Sequence, residues 1–213
     1  MKKAILSSIL VLSALSGCGF PSTIPNVEKQ TNQSENVAAL EDYLNKIKII
    51  KSDSEIGSGE LTKENIALGG IHIGESAETV RKLLGEPTSK GVLNATPFPL
   101  WTYEKLNLSV AFYYKGGANP QIENPKGGVV SITVNEPSDI KTDRGFGIGS
   151  SLKEVMQSFQ SAYAYEKRKD TDTQYVVITG SSSSDNTFYP SLGVLLKGDK
   201  VTSIELSNKE EQP

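Results

Sequence analysis

The feature that most constrains this chain is a ten-residue pattern that occurs twice. The copy at 71–80 reads Ile-His-Ile-Gly-Glu-Ser-Ala-Glu-Thr-Val, and the copy at 146–155 reads Phe-Gly-Ile-Gly-Ser-Ser-Leu-Lys-Glu-Val. Their central glycines, Gly74 and Gly149, lie 75 residues apart. In each copy a short apolar segment precedes a glycine that permits a turn, and a serine then offers a helix cap. The chain is therefore predicted to contain a duplicated module.

The sequence after each glycine predicts a short amphipathic helix. Ser76 is a suitable N-cap for the first helix, and Gly85 is a suitable stop. Ser151 and Glu154 form a Ser-x-x-Glu capping box at the start of the second. Apolar residues then recur at the helical spacing i, i+3 and i+7. They are Ala77, Val80 and Leu84 in the first copy and Leu152, Val155 and Phe159 in the second.

Alternating apolar residues predict three β-strands after each helix. The predicted strands span 100–103, 108–114 and 130–134 in the first half, and 175–179, 192–197 and 201–206 in the second. Two strands of the first half have clear apolar faces, formed by Leu108, Val110, Phe112 and Tyr114 and by Val130, Ile132 and Val134. If the first of these faces is core, Tyr113 lies on the free face of the sheet.

The N-terminus resembles a bacterial lipoprotein signal. Lys2 and Lys3 precede a run that is apolar apart from its serines, and Leu-Ser-Gly then leads into Cys18, the only cysteine. The resemblance implies that residues 1–17 are a signal peptide and that Cys18 is acylated as the mature N-terminus. A plain cleaved secretory signal is the alternative. The apolar run is shorter than the ~20 residues needed to span a bilayer, which argues against a transmembrane anchor.

Loss of the signal also changes the charge balance. Removing Lys2 and Lys3 leaves 20 basic residues against 25 acidic ones, so the net charge falls from −3 to −5. Nucleic acid and anionic lipid both prefer a basic surface, so neither is expected as the main partner. With Cys18 acylated, no intramolecular disulfide can form, and stability must come from packing.

The region between the signal and the first copy is predicted to be a tether. The composition of 19–33 is that of a flexible spacer, apolar residues at helical spacing predict an amphipathic helix over 36–50, and 52–60 is a polar linker. The predicted divisions are 1–17 signal peptide, 18–65 lipidated cysteine with spacer and helix, 66–139 module 1, 140–208 module 2, and 209–213 tail.

These patterns together predict an α+β fold. It has two tandem repeats, each with short helices packed on an antiparallel β-sheet, and the two sheets form one continuous or adjacent surface. The glycine-turned strand, short helix, aromatic strand with Trp101 and Tyr103, and Gly-rich hairpin resemble a known module. It is shared by the β-lactamase inhibitory protein family and the small lipoprotein of the outer-membrane barrel-assembly machinery. The resemblance spans about 66–208 and implies tandem modules of helices on a four-stranded sheet, carried on a lipid anchor.

Catalytic machinery is not visible in the sequence. His72 is the only histidine, and its position in an apolar segment favours a structural role. No Gly-x-Ser-x-Gly elbow surrounds a serine. The glycine run at 144–149 matches 69–74 of the first copy, so we interpret it as a turn and not as a phosphate loop. No enzymatic activity, metal or cofactor is therefore predicted.

Five aromatic residues are candidates for binding a partner. Tyrosine and tryptophan combine a large rigid surface with a polar group, which favours them at recognition sites, although any of them can instead be core. The candidates on or beside predicted strands are Trp101, Tyr103, Tyr113, Tyr175 and Tyr189.

The predicted function is that of an extracytoplasmic lipoprotein, held on the cell membrane or the outer membrane, that binds an envelope or extracellular protein through its free sheet face. One alternative is a small-molecule or glycan-binding lipoprotein, which a deep apolar pocket would indicate. The other is a hydrolase, which a close carboxylate pair in a cleft would indicate.

Overall fold

A computed structural model describes residues 42, 44–52, 56, 59–94, 96–114, 116, 121–165, 172–180 and 188–210, of which 188, 189, 209 and 210 are described by their backbone alone. Its regular elements are β1 Ile47–Ile50, α1 Ala77–Leu84, β2 Ser89–Val92, β3 Pro99–Tyr103, β4 Leu108–Phe112, β5 Val129–Asn135, α2 Leu152–Gln157, β6 Ala162–Tyr165, β7 Thr173–Thr179, β8 Phe188–Lys197 and β9 Lys200–Glu210. A 3-10 turn at Glu104–Leu106 joins β3 to β4.

These strands form a single sheet in the order β1-β6-β7-β8-β9-β5-β4-β3-β2. Every neighbouring pair is antiparallel except β1 and β6, which are parallel. The central pair is β5 with β9, where Ser131 lies opposite Ser207 and Ile132 opposite Leu206. The hydrogen-bonded ladder therefore runs without interruption from the strands of the first half to those of the second.

The prediction of an α+β fold with two tandem helix-on-sheet repeats is wrong. The nine strands belong to one mixed sheet, and α1 and α2 are short, with eight and six residues. Pairing β5 with β9 removes two sheet edges that separate modules would have left exposed, and exposed edges invite association with other chains. The expectation that the strands share one continuous surface agrees with this arrangement.

The two glycine turns and their helices are formed as predicted. Gly74 and Gly149 have φ of 91° and 81°, which glycine adopts without strain. The N–H of Gly74 donates to the carbonyl of Val129 on β5, and that of Gly149 donates to Val201 on β9, both at 2.8 Å. Each turn is thus fastened to a central strand of the sheet.

Both helices begin at the predicted serines. The Ser76 hydroxyl accepts from the N–H of Thr79 at 3.2 Å. Ser151 and Glu154 form the predicted capping box, in which the Glu154 carboxylate accepts from the Ser151 N–H at 2.6 Å. The pKa of Glu154 is lowered by these hydrogen bonds from the Ser151 N–H and hydroxyl. α1 ends at Gly85 as predicted, with φ of 80°.

The six predicted strands are confirmed as β3, β4, β5, β7, β8 and β9, with shifts at their ends. One facing prediction is wrong. A register shift between Ala111 and Phe112 places Val129, not Val130, opposite Phe112. Val129 is therefore 1% exposed, while Val130 is only half-buried and leaves the face that Ile132 and Val134 share.

The helix predicted over 36–50 is wrong at its C-terminal end. Asp42, Leu44 and Asn45 are helical, but Ile47 begins β1 and pairs with Ala162 of β6. The β-branched Ile-Lys-Ile-Ile run suits a strand, and pairing with β6 fixes that choice. The apolar segment Ile71–Ile73, which is the glycine-turned strand of the predicted module, forms only a single bridge between Leu68 and Ile71. The strands β2 and β6 were not predicted.

One face of the sheet is covered, and its side chains form the core. The helices contribute Ala77 and Val80 from α1 and Leu152, Val155 and Met156 from α2 to the same cluster as the large buried side chains of the strands. Trp101, Phe112, Leu108, Ile132, Ile178 and Leu192 are among the largest of these. We call this the covered face, and the side of the sheet turned away from it the open face.

The predicted signal peptide, Cys18 and the spacer lie outside the described residues. Within the residues that the structure does describe, no helix has the length and apolar character needed to cross a membrane.

Candidate functional site

Two of the predicted partner-binding residues lie in the core. Trp101 is 0% exposed and Tyr103 is 4% exposed, both on the covered face. The Trp101 ring packs edge-on against Phe112 with centroids 4.9 Å apart, and its Nε1–H donates to the Ile122 carbonyl at 2.8 Å. These two side chains do not lie on a surface that a partner could contact, which corrects the prediction for them.

Tyr103 is held in place by its hydroxyl as well as by its ring. The hydroxyl donates to the carbonyl of Gly85, the C-cap of α1, at 3.3 Å. Burial, reinforced by the negative charge of Glu86, raises the pKa of Tyr103 to about 12. Tyr103 therefore connects the end of α1 to the sheet and stays protonated at neutral pH.

A network of ion pairs closes over Trp101. The Arg81 guanidinium lies 4.8 Å and the Lys90 ammonium 5.6 Å from the ring centroid. Glu86 lies 2.7 Å from Arg81 and 3.5 Å from Lys90, and Glu123 lies 2.9 Å from Lys90. The hydrogen bond that Lys90 donates to the Glu123 carboxylate is the main reason that the pKa of Lys90 is raised. Opposite charges already partner one another here, so we interpret this network as structural.

Tyr113 is the predicted residue that the structure exposes. It is 43% exposed, and its ring lies 6.0 Å from that of Phe98, centroid to centroid. Its predicted position on the free face is confirmed, because Leu108, Val110 and Phe112 are all buried on the covered face.

Tyr175 and Tyr189 belong to the second half of the sheet. Tyr175 is half-buried, and its ring stacks on Tyr165 with centroids 6.3 Å apart. A Cβ added to Gly193 would lie 1.9 Å from the Tyr175 hydroxyl, so the Tyr175 side chain lies across Gly193 on the open face. The backbone of Tyr189 pairs with Lys209, and its side chain is outside the description.

Between Tyr113 and Tyr175 most side chains of the open face are small, and most of these carry a hydroxyl group. One row runs across four strands as Thr102 of β3, Ser109 of β4, Thr133 of β5 and Glu205 of β9, each paired with the next. The adjacent row runs from Leu100 through Ala111 and Ser131 to Ser207. Side chains alternate between the two faces of a strand, so this surface is the counterpart of the apolar core face.

The small side chains leave a recess of about 180 Å³ in this surface. Its floor is a square on β4 and β5, where Ser109 pairs with Thr133 and Ala111 with Ser131. Its wall is apolar and consists of Leu93, from the β2–β3 loop, and Leu100 of β3. Phe98 and Tyr113 extend the surface beyond the Leu100–Ala111 pair.

The recess has an uneven distribution of charge. Glu205 lies directly across from Thr133 on β9 and is half-buried. None of the ion pairs formed by the described residues includes Glu205. The recess thus combines an apolar wall, three hydroxyl groups and one carboxylate at its border, which suits a ligand with hydrogen-bond donors.

His72 is half-buried, and its Nδ1 lies 3.0 Å from the Lys63 carbonyl, which is a structural contact. No group of three or more His, Cys, Asp or Glu side chains in the described residues could hold a metal ion.

The sequence alone did not predict that the residues of the recess lie together. The alternation in 108–114 placed Ser109 and Ala111 opposite the core face, but it gave no sign of which strands would lie beside them. Thr133 and Glu205 join the site only through the pairing of β4 with β5 and of β5 with β9. Leu93 lies in a loop that no periodic pattern marks.

Comparisons with protein-family models, with curated proteins and with solved structures found no match for this chain.

Proposed function

We propose that this chain is a lipid-anchored extracytoplasmic protein that binds a protein partner through the open face of its sheet. The observation that carries the proposal is the contrast at the end of β4, where Tyr113, the residue after the strand, is exposed beside a shallow surface of small hydroxyl side chains. An exposed tyrosine at the border of such a surface is typical of a protein interface, because it supplies rigid contact area with a polar group.

The dimensions of the recess favour a protein over a small molecule. Small-molecule pockets usually enclose about 300–1,000 Å³ and bury most of their ligand. The recess holds about 180 Å³, which is the scale of one side chain. Its neighbours on the open face continue the contact surface across β3, β4, β5 and β9. A side chain of a partner can fill it while the surrounding strands form the rest of the interface.

The anchor part of the proposal rests on the N-terminal sequence. Lys2 and Lys3, the apolar run and the small residues before Cys18 are the features that a lipoprotein signal requires. The chain then remains on the outer side of a membrane, and the partner is a protein of the envelope or the medium.

Site-specific photocrosslinking in intact cells tests the protein partner. A photoreactive phenylalanine is placed at Tyr113 in the full chain, and a matched control places it at Leu83 of α1, which is also exposed but lies on the covered side. One dominant protein adduct from position 113 and none from position 83 is the expected result. Equal adducts from both positions, or none from 113, would contradict binding through the open face.

Membrane fractionation tests the anchor separately. Replacing Cys18 with serine removes the thiol that would be acylated, so we expect the Cys18→Ser protein to leave the membrane fraction. Retention of this variant on membranes after a high-salt wash would contradict lipidation at Cys18. The photocrosslinking result does not depend on this outcome.

A further inference from the structure

We propose that the recess of the open face binds the side chain of a lysine on the partner protein. The inference rests on the proposed function and specifies the chemistry that the open face recognises. It is carried by the apolar wall and the hydroxyl floor that line the recess, and by the carboxylate of Glu205 on the next strand, which has no ion-pair partner among the described residues.

The wall accommodates the hydrocarbon part of a lysine. Leu93 and Leu100 line one side of the recess, and Ala111 contributes the apolar part of the floor. A lysine side chain carries four methylene groups before its charge, and such stems pack along apolar surface while the ammonium stays polar. The volume of about 180 Å³ admits one such side chain.

The floor and its border accommodate the ammonium. The hydroxyl groups of Ser109, Ser131 and Thr133 can accept hydrogen bonds, and an ammonium has three donors to give. Glu205 is on the strand next to Thr133, and neighbouring strands are about 4.8 Å apart. A stem that packs on Leu100 and lies over β4 therefore brings its ammonium to the hydroxyl groups of β5, one strand from Glu205.

Charge decides between lysine and other side chains. A purely apolar side chain would remove the three hydroxyl groups from water without giving them donors, which is unfavourable. A carboxylate would be repelled by Glu205. An ammonium satisfies the hydroxyl oxygens and pairs with the Glu205 charge, which none of the described lysines or arginines already does.

Titration with n-butylammonium chloride, observed in amide NMR spectra of the ¹⁵N-labelled full-length chain in detergent, tests the inference. The matched ligand is n-butanol, which has the same stem without the charge. We expect saturable shifts at Ser109, Ser131 and Thr133 with butylammonium, and at least fivefold weaker binding of butanol. Equal binding of the two, or shifts spread over the whole sheet, would overturn the inference.

Two variants test whether the Glu205 carboxylate contributes to binding of the cation. Glu205→Gln keeps the shape of the side chain and is expected to weaken butylammonium binding at least fivefold, without changing butanol binding. Glu64→Gln, on an exposed residue of the loop before Ile66, is the matched control and is expected to bind both ligands as wild type does. Unchanged butylammonium binding in Glu205→Gln would overturn the role of Glu205. The dispersion of each spectrum shows whether the variant is folded.

The photocrosslinking assay separates this inference from the proposed function. Introducing Glu205→Gln into the chain that carries the photoreactive residue at position 113 should reduce the adduct. If the adduct is undiminished and butylammonium does not bind, the lysine inference fails while the protein partner stands. If butylammonium binds but no adduct forms, the protein partner fails, and with it the partner lysine as the source of the cation.

Discussion

The two faces of the sheet are built from the same strands but from opposite kinds of side chain. On β4, Leu108, Val110 and Phe112 are fully buried under the helices, whereas Ser109, and Tyr113 just after the strand, face the other way and are only partly covered. The small Ala111 also faces the other way, but it is buried. Neighbouring residues of the strand thus lie on opposite faces. The large apolar side chains of β4 are therefore all on the covered face, whereas the open face of this strand carries small side chains and, beyond its end, the exposed ring of Tyr113.

Truncating one aromatic residue on each face should reveal the largest difference in stability between the two faces. Trp101→Ala removes a fully buried ring that packs on Phe112, so we expect a loss of about 3–5 kcal/mol in the free energy of unfolding. Tyr113→Ala removes a half-exposed ring, and we expect a loss below about 1 kcal/mol. Urea denaturation of both variants measures the difference. Similar losses in the free energy of unfolding would show that the covered face does not contribute more to stability than the open face.

A second substitution tests how tightly the open face is packed around Tyr175. Gly193→Ala would place a Cβ 1.9 Å from the Tyr175 hydroxyl, and we expect the displaced ring to cost about 1 kcal/mol. In the double variant Gly193→Ala with Tyr175→Ala the collision is gone. The combined loss should therefore be smaller than the sum of the two single losses. Additive losses in a double-mutant cycle would mean that Tyr175 does not lie across Gly193.

Alkaline titration probes the covered face through Tyr103. Its pKa is raised to about 12 from an ordinary value of 10, so its protonated form is favoured in the folded state. This contribution to stability is fully present below about pH 10 and is lost as the pH rises toward 12. Absorbance at the tyrosinate band should show a component with a pKa of about 12 that Tyr103→Phe removes. Persistence of that component in the variant would assign it to another residue.

The smallest expected effect concerns the cap of α2. The pKa of Glu154 is lowered by hydrogen bonds from Ser151, so this contribution to stability is present above the unfolded pKa, about 4.5, and is lost as the pH falls through the lower folded value. The melting temperature of wild type should therefore exceed that of Glu154→Gln at pH 7, and the gap should close in acid. A gap that is the same at both pH values would exclude the carboxylate as its cause.

Glu78 of α1 is a second carboxylate with a lowered pKa, and comparing it with Glu154 separates an ion pair from a backbone cap. The pKa of Glu78 is lowered by its hydrogen bond and ion pair with Lys82, and both side chains are exposed. Salt should therefore weaken the effect of Glu78→Gln more than that of Glu154→Gln, because screening acts on exposed charge pairs and hardly on a backbone cap.

The sequence predicted local structure such as helix starts, but it did not predict which strands pair with one another. Ser76 and Ser151 marked both helix starts, since an N-cap depends on residues within one turn. The strand β6 was missed because it has only four residues and two of them are alanine, which is less common in strands, and β2 because Ser-Lys-Gly-Val is largely polar. The single sheet depends on pairing between β5 and β9, which lie far apart in the chain.

The candidate site was predictable only in part, for the same physical reason. Alternation along β4 placed Tyr113 on the free face, and the structure confirms this position; its contact with a partner stays a prediction. Trp101 lies on the neighbouring strand β3, but it faces the helices and is core. Glu205 carries no sequence signal of its own, since its neighbour Thr133 is 72 positions earlier and reaches it only through the sheet.

The parallel pairing of β1 also has a mechanical consequence. This strand is the N-terminal one of the sheet, it lies at the edge, and only four residues pair it with β6. A pulling force applied to the N-terminal side of the chain therefore reaches the sheet through β1 first. A four-residue edge strand should detach at a force that leaves the long antiparallel ladder of β8 and β9 intact. Such a force would then extend the chain at β1 while the strands of the open face stay paired.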